Sequence, residues 1–413
     1  MKKKFKLNNS QRMLIGMALG LVVGFLVGPK IAVIKPFGTL FINLLKMIMV
    51  PIVMVSIIMS IAKLADIKKF GRIAIKTFLT YCVTTVIAAC ISLFFVSIIK
   101  PGLGFNDFEG AVSREVTNVS VVDTLMSIVP TNIVTAMSNA HLLSIIFFSI
   151  MMGIGLSLIG EKKKPVVDFL DSLQEAIIKM VHIILLYAPF GVFCLMASIA
   201  GTYGSKIFST LGKFILTDYC GFITQFILVY GIMMMICKIP FLKFVSRAKD
   251  ALISAFTTTS SAATVPIELQ QSESHYGVPK EVGGFAFPFG STINQNGTAI
   301  NITCCVLFSA QVYGFQFTPA QLVVLIFTAL ISSIGCSGIP GGGTVFTLAI
   351  LAQYGIPAEA FGMIIACYTL VDMGSTTMNI GGDIASAIFV SKSEKILIEE
   401  VWAKDYVIPA DAE

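Results

Sequence analysis

Residues 372–383 read DMGSTTMNIGGD and lie inside an apolar run that extends over residues 358–390. On a helix counted at 100° per residue, the polar side chains of this stretch fall within about 60° of the first one. They are Asp372, Ser375, Thr376, Asn379 and Asp383. Carboxylates at membrane depth are costly and mark functional sites. The stripe therefore predicts a binding site inside a membrane; a structural polar seam against a neighbouring helix is the alternative.

The apolar run before it, residues 283–315, contains a second polar group at residues 294–298, which read NQNGT. A glycine flanked by amides in the middle of a membrane segment predicts a break in the helix. Such a break frees backbone carbonyl groups that can bind a cation. A merely kinked packing helix is the alternative.

Two further segments are apolar but interrupted. Residues 251–267 are split by TTTSS at 257–261, and residues 322–351 are split by a glycine-rich stretch at 335–343. Each piece is too short to cross a bilayer. Irregular backbone at membrane depth survives only where protein or a water-filled cavity surrounds it. These paired interrupted segments predict a transporter whose binding site is built from repeats.

Upstream of residue 240, six apolar runs approach the roughly 20 residues that a spanning helix needs. They are Met13–Val33, Phe37–Ile61, Thr77–Ile99, Leu142–Gly160, Met180–Ala200 and Phe214–Cys237. Clusters of Lys and Arg precede the first run and follow the second, fourth and sixth. All four clusters fall on one side, which the positive-inside rule makes cytoplasmic. In the first run, glycines at every fourth position from Gly16 to Gly28 predict close packing against another backbone.

Composition agrees with a membrane protein and excludes other classes. Only 13% of the residues are charged and 56% are hydrophobic, whereas soluble domains have about 25% charged residues. The net charge of +6 lies in the membrane-flanking clusters, so a nucleic-acid partner is not predicted. The nine cysteines show neither a disulfide framework nor zinc spacing. We find no phosphate loop and no nucleophile–base pair, so an enzyme is not predicted either.

Four motifs together resemble those of the dicarboxylate/amino acid:cation symporter family. They are the serine-rich residues 260–266, the NQNGT group, residues 333–341 and the stripe at residues 372–383. The resemblance implies an all-α membrane protein with eight transmembrane helices plus two re-entrant helical hairpins, an inverted-repeat elevator transporter that is a homotrimer. It implies a trimerisation scaffold mainly in residues 1–240, with the third and sixth spans joining the transport domain. Residues 241–395 would form the core transport domain with both hairpins, and 396–413 a cytoplasmic tail.

The same resemblance implies the site residues. Asp372 would bind the substrate ammonium group, and Asn379 with the first hairpin tip would bind its carboxylate. The full substrate set is Ser260, Ser261, Thr298, Ile339, Gly343, Asp372, Ser375, Thr376 and Asn379. Sodium would be bound by Asp383 with Gly290, Asn294 and Asn379; by Tyr81, Thr84, Thr85, Asn294 and Asn296; and by Thr292, Ser333, Ile334 and Cys336.

Three departures from the family pattern shape the predicted function. Ser375 replaces the arginine that binds an acidic side chain, and no arginine stands at the first hairpin tip. Asn296 replaces an aspartate of a sodium site, and its amide could instead donate to Tyr81 or Thr84. A guanidinium fork that matches a carboxylate is therefore missing, and fewer coupled sodium ions are expected.

The prediction is sodium-coupled symport of a small neutral amino acid by a multi-pass carrier of the inner cell membrane. Both termini would be cytoplasmic; the partners would be the substrate, cations and the lipid bilayer, with sodium as coupling ion and no other cofactor. A sodium-independent exchanger, an acidic amino acid or dicarboxylate symporter, and a substrate-gated channel or sensor are the alternatives.

Overall fold

The computed structural model describes residues 9–64, 71–104, 128–336, 342–403 and 406. Among these residues the secondary structure is helical, without strands, so the predicted all-α class is confirmed. The helices are α1 Asn9–Val27, α2 Lys35–Leu64, α3 Gly71–Ile99, α4 Ile133–Ser138, α5 Leu142–Leu158, α6 Lys164–Tyr203, α7 Lys206–Thr224, α8 Gly231–Ile236, α9 Phe241–Thr258, α10 Ser261–Gln271, α11 Lys280–Ile293, α12 Asn296–Val312, α13 Pro319–Gly335, α14 Gly342–Gln353 and α15 Glu359–Ser393.

The six predicted spans all fall in helical stretches. Four stretches are long and apolar enough to cross a membrane: Gln11–Ala62, Gly71–Ile99, Gly160–Tyr203 and Ile207–Ile236. The first of them holds both α1 and α2, joined by a 3₁₀ turn over Gly28–Ile34. The first predicted span is thus α-helical only as far as Val27, because Gly28 and Pro29 interrupt it. The count of eight spans stays a prediction.

Both interrupted segments form pairs of helices around a break. In the first hairpin, α9 ends at Thr258, and the residue that follows it, Thr259, has a φ of +52°. Ser260 then caps α10 by accepting a hydrogen bond from the Ala263 amide at 3.2 Å, as serine does at helix N-termini. In the second hairpin, α13 and α14 flank residues 337–341, which lie outside the described residues.

The NQNGT group also forms the predicted break, but two to three residues earlier than its glycine suggested. The helix is interrupted at Asn294 and Gln295, between α11 and α12. Gly297 lies inside α12, where a Cβ atom would come within 2.2 Å of the Ser375 carbonyl oxygen. The glycine therefore serves the close approach of α12 to α15, and the amides before it occupy the break.

The helices pack in two groups. α1, α2, α5 and α6 pack against one another, and α3, α7, α12 and α15 pack against one another, with α9, α10 and α11 against α15. The second hairpin contacts α2 on one side and α12 on the other. The site described below lies where the two groups meet.

The glycines of α1 serve packing, as predicted, and their partner is α6 of the same chain. Cβ atoms at Gly16, Gly20 and Gly24 would lie 2.4, 2.6 and 2.4 Å from backbone oxygens of α6. Only a residue without a side chain permits this approach.

Gly24→Val should therefore destabilise the protein by about 1–3 kcal/mol, as overpacking does. The measurement is the thermal unfolding midpoint of the purified chain in detergent. Gly155→Val is the matched control, because nothing lies within 4 Å of a Cβ placed there. Equal midpoints for the two variants would contradict the packing role.

Candidate substrate and cation site

A cavity of about 420 Å³ lies where the two hairpins meet α12 and α15. Seven of the nine predicted substrate residues line it: Ser260, Ser261, Thr298, Gly343, Asp372, Thr376 and Asn379. Met13, Phe41, Leu45 and His182 of the other helix group close it from the opposite side. The structure thus brings together residues that are more than 100 positions apart in the chain.

Ser375, also in the predicted set, is buried and is not among the cavity-lining residues, and its backbone packs directly against Gly297. Its role in substrate binding stays a prediction. Ile339 lies outside the described residues.

Asp372 is the one carboxylate among the described lining residues, which include neither Lys nor Arg. No described residue forms an ion pair with it. A carboxylate in a largely enclosed cavity is costly without a cationic partner. The geometry therefore leaves Asp372 available for a cationic group of a ligand.

Helix α10 begins at the cavity. Ser261 and Ala262 at the start of α10 line it. The first N–H groups of a helix have no partner within the helix, and the helix dipole favours negative charge there. The first hairpin thus offers an anion-binding end toward the cavity that holds Asp372, and Gly342 and Gly343 of the second hairpin also line the cavity.

The amide of Asn379 is held by protein partners at the cavity wall. Its Oδ1 accepts from the Gly297 amide at 2.8 Å, and its Nδ2 donates to Gln295 Oε1 at 2.9 Å and to Thr298 Oγ1 at 3.3 Å. Gln295 was not among the predicted site residues, although it lines the cavity. Its place inside the NQNGT motif was the signal that could have identified it.

A buried polar cluster lies behind the cavity, around Asp383. Asn294 Nδ2 donates to Asp383 Oδ1 at 2.8 Å and to the Asn379 carbonyl at 3.0 Å. A Cβ at Gly290 would lie 2.2 Å from Asp383 Oδ1 and 2.8 Å from the Tyr81 hydroxyl. Gly290, Tyr81, Asp383 and Asn294 are therefore in close contact. Asp383 Oδ2 and Asn294 Oδ1 are buried without a described hydrogen-bond partner. One carboxylate oxygen and one amide oxygen without donors fit a hard cation, which takes oxygen ligands.

Comparison with known proteins identifies the family. The model of the sodium:dicarboxylate symporter family matches residues 10–393. The chain belongs to this family. Its members are cation-coupled symporters and not enzymes, which confirms the predicted transporter class.

Three relatives show the range of the family. A proton/sodium-glutamate symport protein of Geobacillus stearothermophilus is 33% identical over 97% of this chain and 98% of its own. A C4-dicarboxylate transport protein of Bacillus subtilis is 33% identical over 95% and 94% of the two chains. A proton/glutamate-aspartate symporter of Escherichia coli is 31% identical, with the same coverage.

In the symporter's third predicted sodium set, the Asn296 amide is engaged by protein hydrogen bonds through both its oxygen and its nitrogen. Thr85 Oγ1 donates to Asn296 Oδ1 at 2.7 Å, and Asn296 Nδ2 donates to the Tyr230 hydroxyl at 2.9 Å. The predicted amide partners, Tyr81 and Thr84, are wrong: their hydroxyls donate to the carbonyls of Ala286 and of Thr80 and Tyr81. The reason is that Tyr230 reaches this point from a π-helical turn over Gln225–Tyr230, which the hydropathy pattern did not reveal.

Tyr230→Phe should leave the buried Asn296 donor unpaired, at a cost of about 1–3 kcal/mol. We expect a lower thermal unfolding midpoint than for Tyr187→Phe. Tyr187 is the control: its hydroxyl donates to the carbonyl of Phe37, and its side chain is part-exposed. If the two variants unfold at the same temperature, the Asn296–Tyr230 contact is not a structural replacement for a cation.

The remaining predicted sodium ligands lie near the ends of α11 and α13. Thr292 and Cys336 both line the cavity. Ser333 and Ile334 are in the last turn of α13, and Cys336 Sγ contacts the Ser333 carbonyl at 3.2 Å. Convergence of their carbonyls on one sodium ion stays a prediction.

Proposed function

We propose that this symporter carries a small neutral amino acid into the cell together with sodium. The observation that supports this best is the cavity lining. It offers Asp372 to the α-ammonium group and the start of α10 to the α-carboxylate, with no described Lys or Arg for a second carboxylate. The small side chains of Thr298 and Thr376 line the same cavity and suit a short substrate side chain.

An acidic amino acid or dicarboxylate is the second candidate, and the relatives favour it over the neutral substrate. All three relatives described above are named for glutamate, aspartate or C4-dicarboxylates. For this chain, such a substrate would bring a second negative charge into a cavity that already holds a carboxylate. Without a cationic partner that burial costs several kcal/mol, and it is the reason why we place the neutral substrate first.

Competition in proteoliposomes separates the two candidates. Sodium-driven uptake of labelled serine should be inhibited by alanine and threonine at concentrations at least about tenfold lower than by aspartate, glutamate or succinate. The reverse order would replace the neutral substrate with the acidic one. Counterflow into vesicles preloaded with substrate identifies a carrier, since a channel or sensor does not accumulate label. Uptake that is independent of sodium would identify an exchanger.

The domain roles are part of the proposal. We assign the scaffold of an elevator trimer to residues 1–240, apart from the third and sixth spans, and the moving unit to residues 241–395. The two packing groups and the position of the cavity between them support this division. The basic clusters support cytoplasmic termini in the inner cell membrane.

The cytoplasmic tail, residues 396–413, would begin in contact with the moving unit. The Ile398 amide donates to the Gly277 carbonyl at 2.8 Å, and Trp402 Nε1 donates to the Tyr276 carbonyl at 3.2 Å. These contacts tie residues 396–403 to the first hairpin.

A further inference from the structure

A carboxylate outside the predicted sodium ligands lies beside the buried cluster. Glu268 belongs to α10, the second arm of the first hairpin, and its side chain is fully buried. Neither of its carboxylate oxygens has a hydrogen-bond partner among the described residues. α10 packs against α15, which carries Asp383, and against α11, which carries Gly290. Gly290 is in close contact with both Asp383 and Tyr81, so Glu268 and Asp383 stand on packed helices of one buried region.

Four buried oxygens of this region have no described donor: both of Glu268, Oδ2 of Asp383 and Oδ1 of Asn294. The Tyr81 hydroxyl gives its proton to the Ala286 carbonyl, so its lone pairs can also face a cation. None of the described ion pairs involves Glu268 or Asp383. Two unpaired carboxylates in one buried cluster are unfavourable unless a positive charge joins them.

The neutral side chain of Asn296 removes a negative charge from this region, and this loss suggests a role for the Glu268 carboxylate. The family pattern has an aspartate where this chain has Asn296, and the Asn296 amide is satisfied by Thr85 and Tyr230. A negative charge is available instead on α10, at the buried Glu268. The total of two carboxylates in the region is thereby kept.

We propose that Glu268 is a ligand of a coupling sodium ion, which it binds together with Asp383 Oδ2 and Asn294 Oδ1. It supplies the negative charge that Asn296 lacks. This inference rests on the proposed sodium-coupled function and names a ligand outside the set that the family resemblance implies. It also reverses the expectation that the Asn296 departure alone lowers the number of coupled ions.

The test compares Glu268→Gln with Glu273→Gln in the full chain. Glu273 belongs to the same hairpin region but is partly exposed and pairs with Lys280. Thermal unfolding is followed while sodium chloride replaces choline chloride. A ligand that binds only the folded state raises its stability, and we expect half-maximal stabilisation of Glu268→Gln to need at least about tenfold more sodium. In proteoliposomes, the sodium-to-substrate ratio from reversal potentials should fall by one.

Without sodium, Glu268→Gln should be at least as stable as the wild type, because an unpaired buried charge has been removed. A sodium response within about twofold of the wild type, with an unchanged coupling ratio, overturns the proposal. Loss of pH-dependent transport with intact sodium dependence also overturns it, since Glu268 then carries a proton. A wild type without any sodium response contradicts the proposed function itself. If Glu268→Gln does not fold, Glu268→Asp must show a weakened but present sodium response; an unchanged one overturns the proposal.

Discussion

Replacing Asp372 with Asn is expected to abolish substrate binding while leaving the fold intact. Asp372 is the one carboxylate among the described cavity residues, and it has no described cationic partner. The substrate ammonium group would lose its ion pair and remain largely desolvated. Breaking a buried pair in this way costs about 3–5 kcal/mol, which is more than a hundredfold in affinity. Calorimetry with the neutral amino acid that binds the wild type measures it.

Asp218→Asn is the matched control for this experiment. Asp218 is a fully buried aspartate, whereas Asp372 is half-buried at the cavity; Asp218 accepts from Asn301 Nδ2 at 3.0 Å and does not line the cavity. Its variant should bind substrate normally. Lactate, which has a hydroxyl group in place of the amino group of alanine, should not bind the wild type. Unchanged affinity in Asp372→Asn, or tight binding of succinate, would refute the assignment of Asp372 to an amino group.

The polar stripe was predictable because it rests on helical periodicity alone. The spacing from Asp372 to Asp383 puts these side chains on one face of any helix. In an otherwise apolar segment, such a polar face predicts a binding site. The two hairpins were predictable for a similar reason, since TTTSS and the glycine-rich stretch cannot continue a membrane helix. The motif also indicated that the cavity and the cation cluster lie apart, because Asp372 stands at one end of it and Asp383 about three helical turns away.

What the sequence could not show depends on contacts between distant segments. Ser375 lies within the angular limits of the stripe, yet α12 covers it through Gly297. Tyr230 reaches Asn296 only because a π-helical turn shifts its register. Glu268 looks like one acidic residue in a mildly polar hairpin arm until the fold buries it near Asp383. Periodicity assigns faces within a helix, and it does not say which helix lies opposite.

These contacts also change how the departures from the family pattern are understood. Taken one residue at a time, Asn296 removes a charge from a cation site. In the fold, Asn296 becomes a structural link between α12, Thr85 and Tyr230, while Glu268 is a second buried carboxylate on a helix packed against α15. Under our proposal, the loss of one sodium ligand is offset by the gain of another.

Asp383→Asn is the second substitution with a large expected effect. The side chain is fully buried, its Oδ1 accepts from Asn294, and its Oδ2 has no described partner. Asparagine keeps the shape but removes the charge that offsets desolvation of the cation. We expect the sodium concentration for half-maximal substrate binding to rise at least about a hundredfold, equivalent to about 2.7 kcal/mol. Asp218→Asn again serves as control and should leave the sodium dependence unchanged.

The double variant Asp383→Asn, Glu268→Gln shows whether the two carboxylates share one ion. If they do, the first substitution already removes most of the binding, and the second adds little, so that the effects are not additive. Independent ions would give effects that add within about 0.5 kcal/mol. A sodium dependence that Asp383→Asn leaves intact would make Asp383 a structural carboxylate and would remove the centre of the proposed cation site.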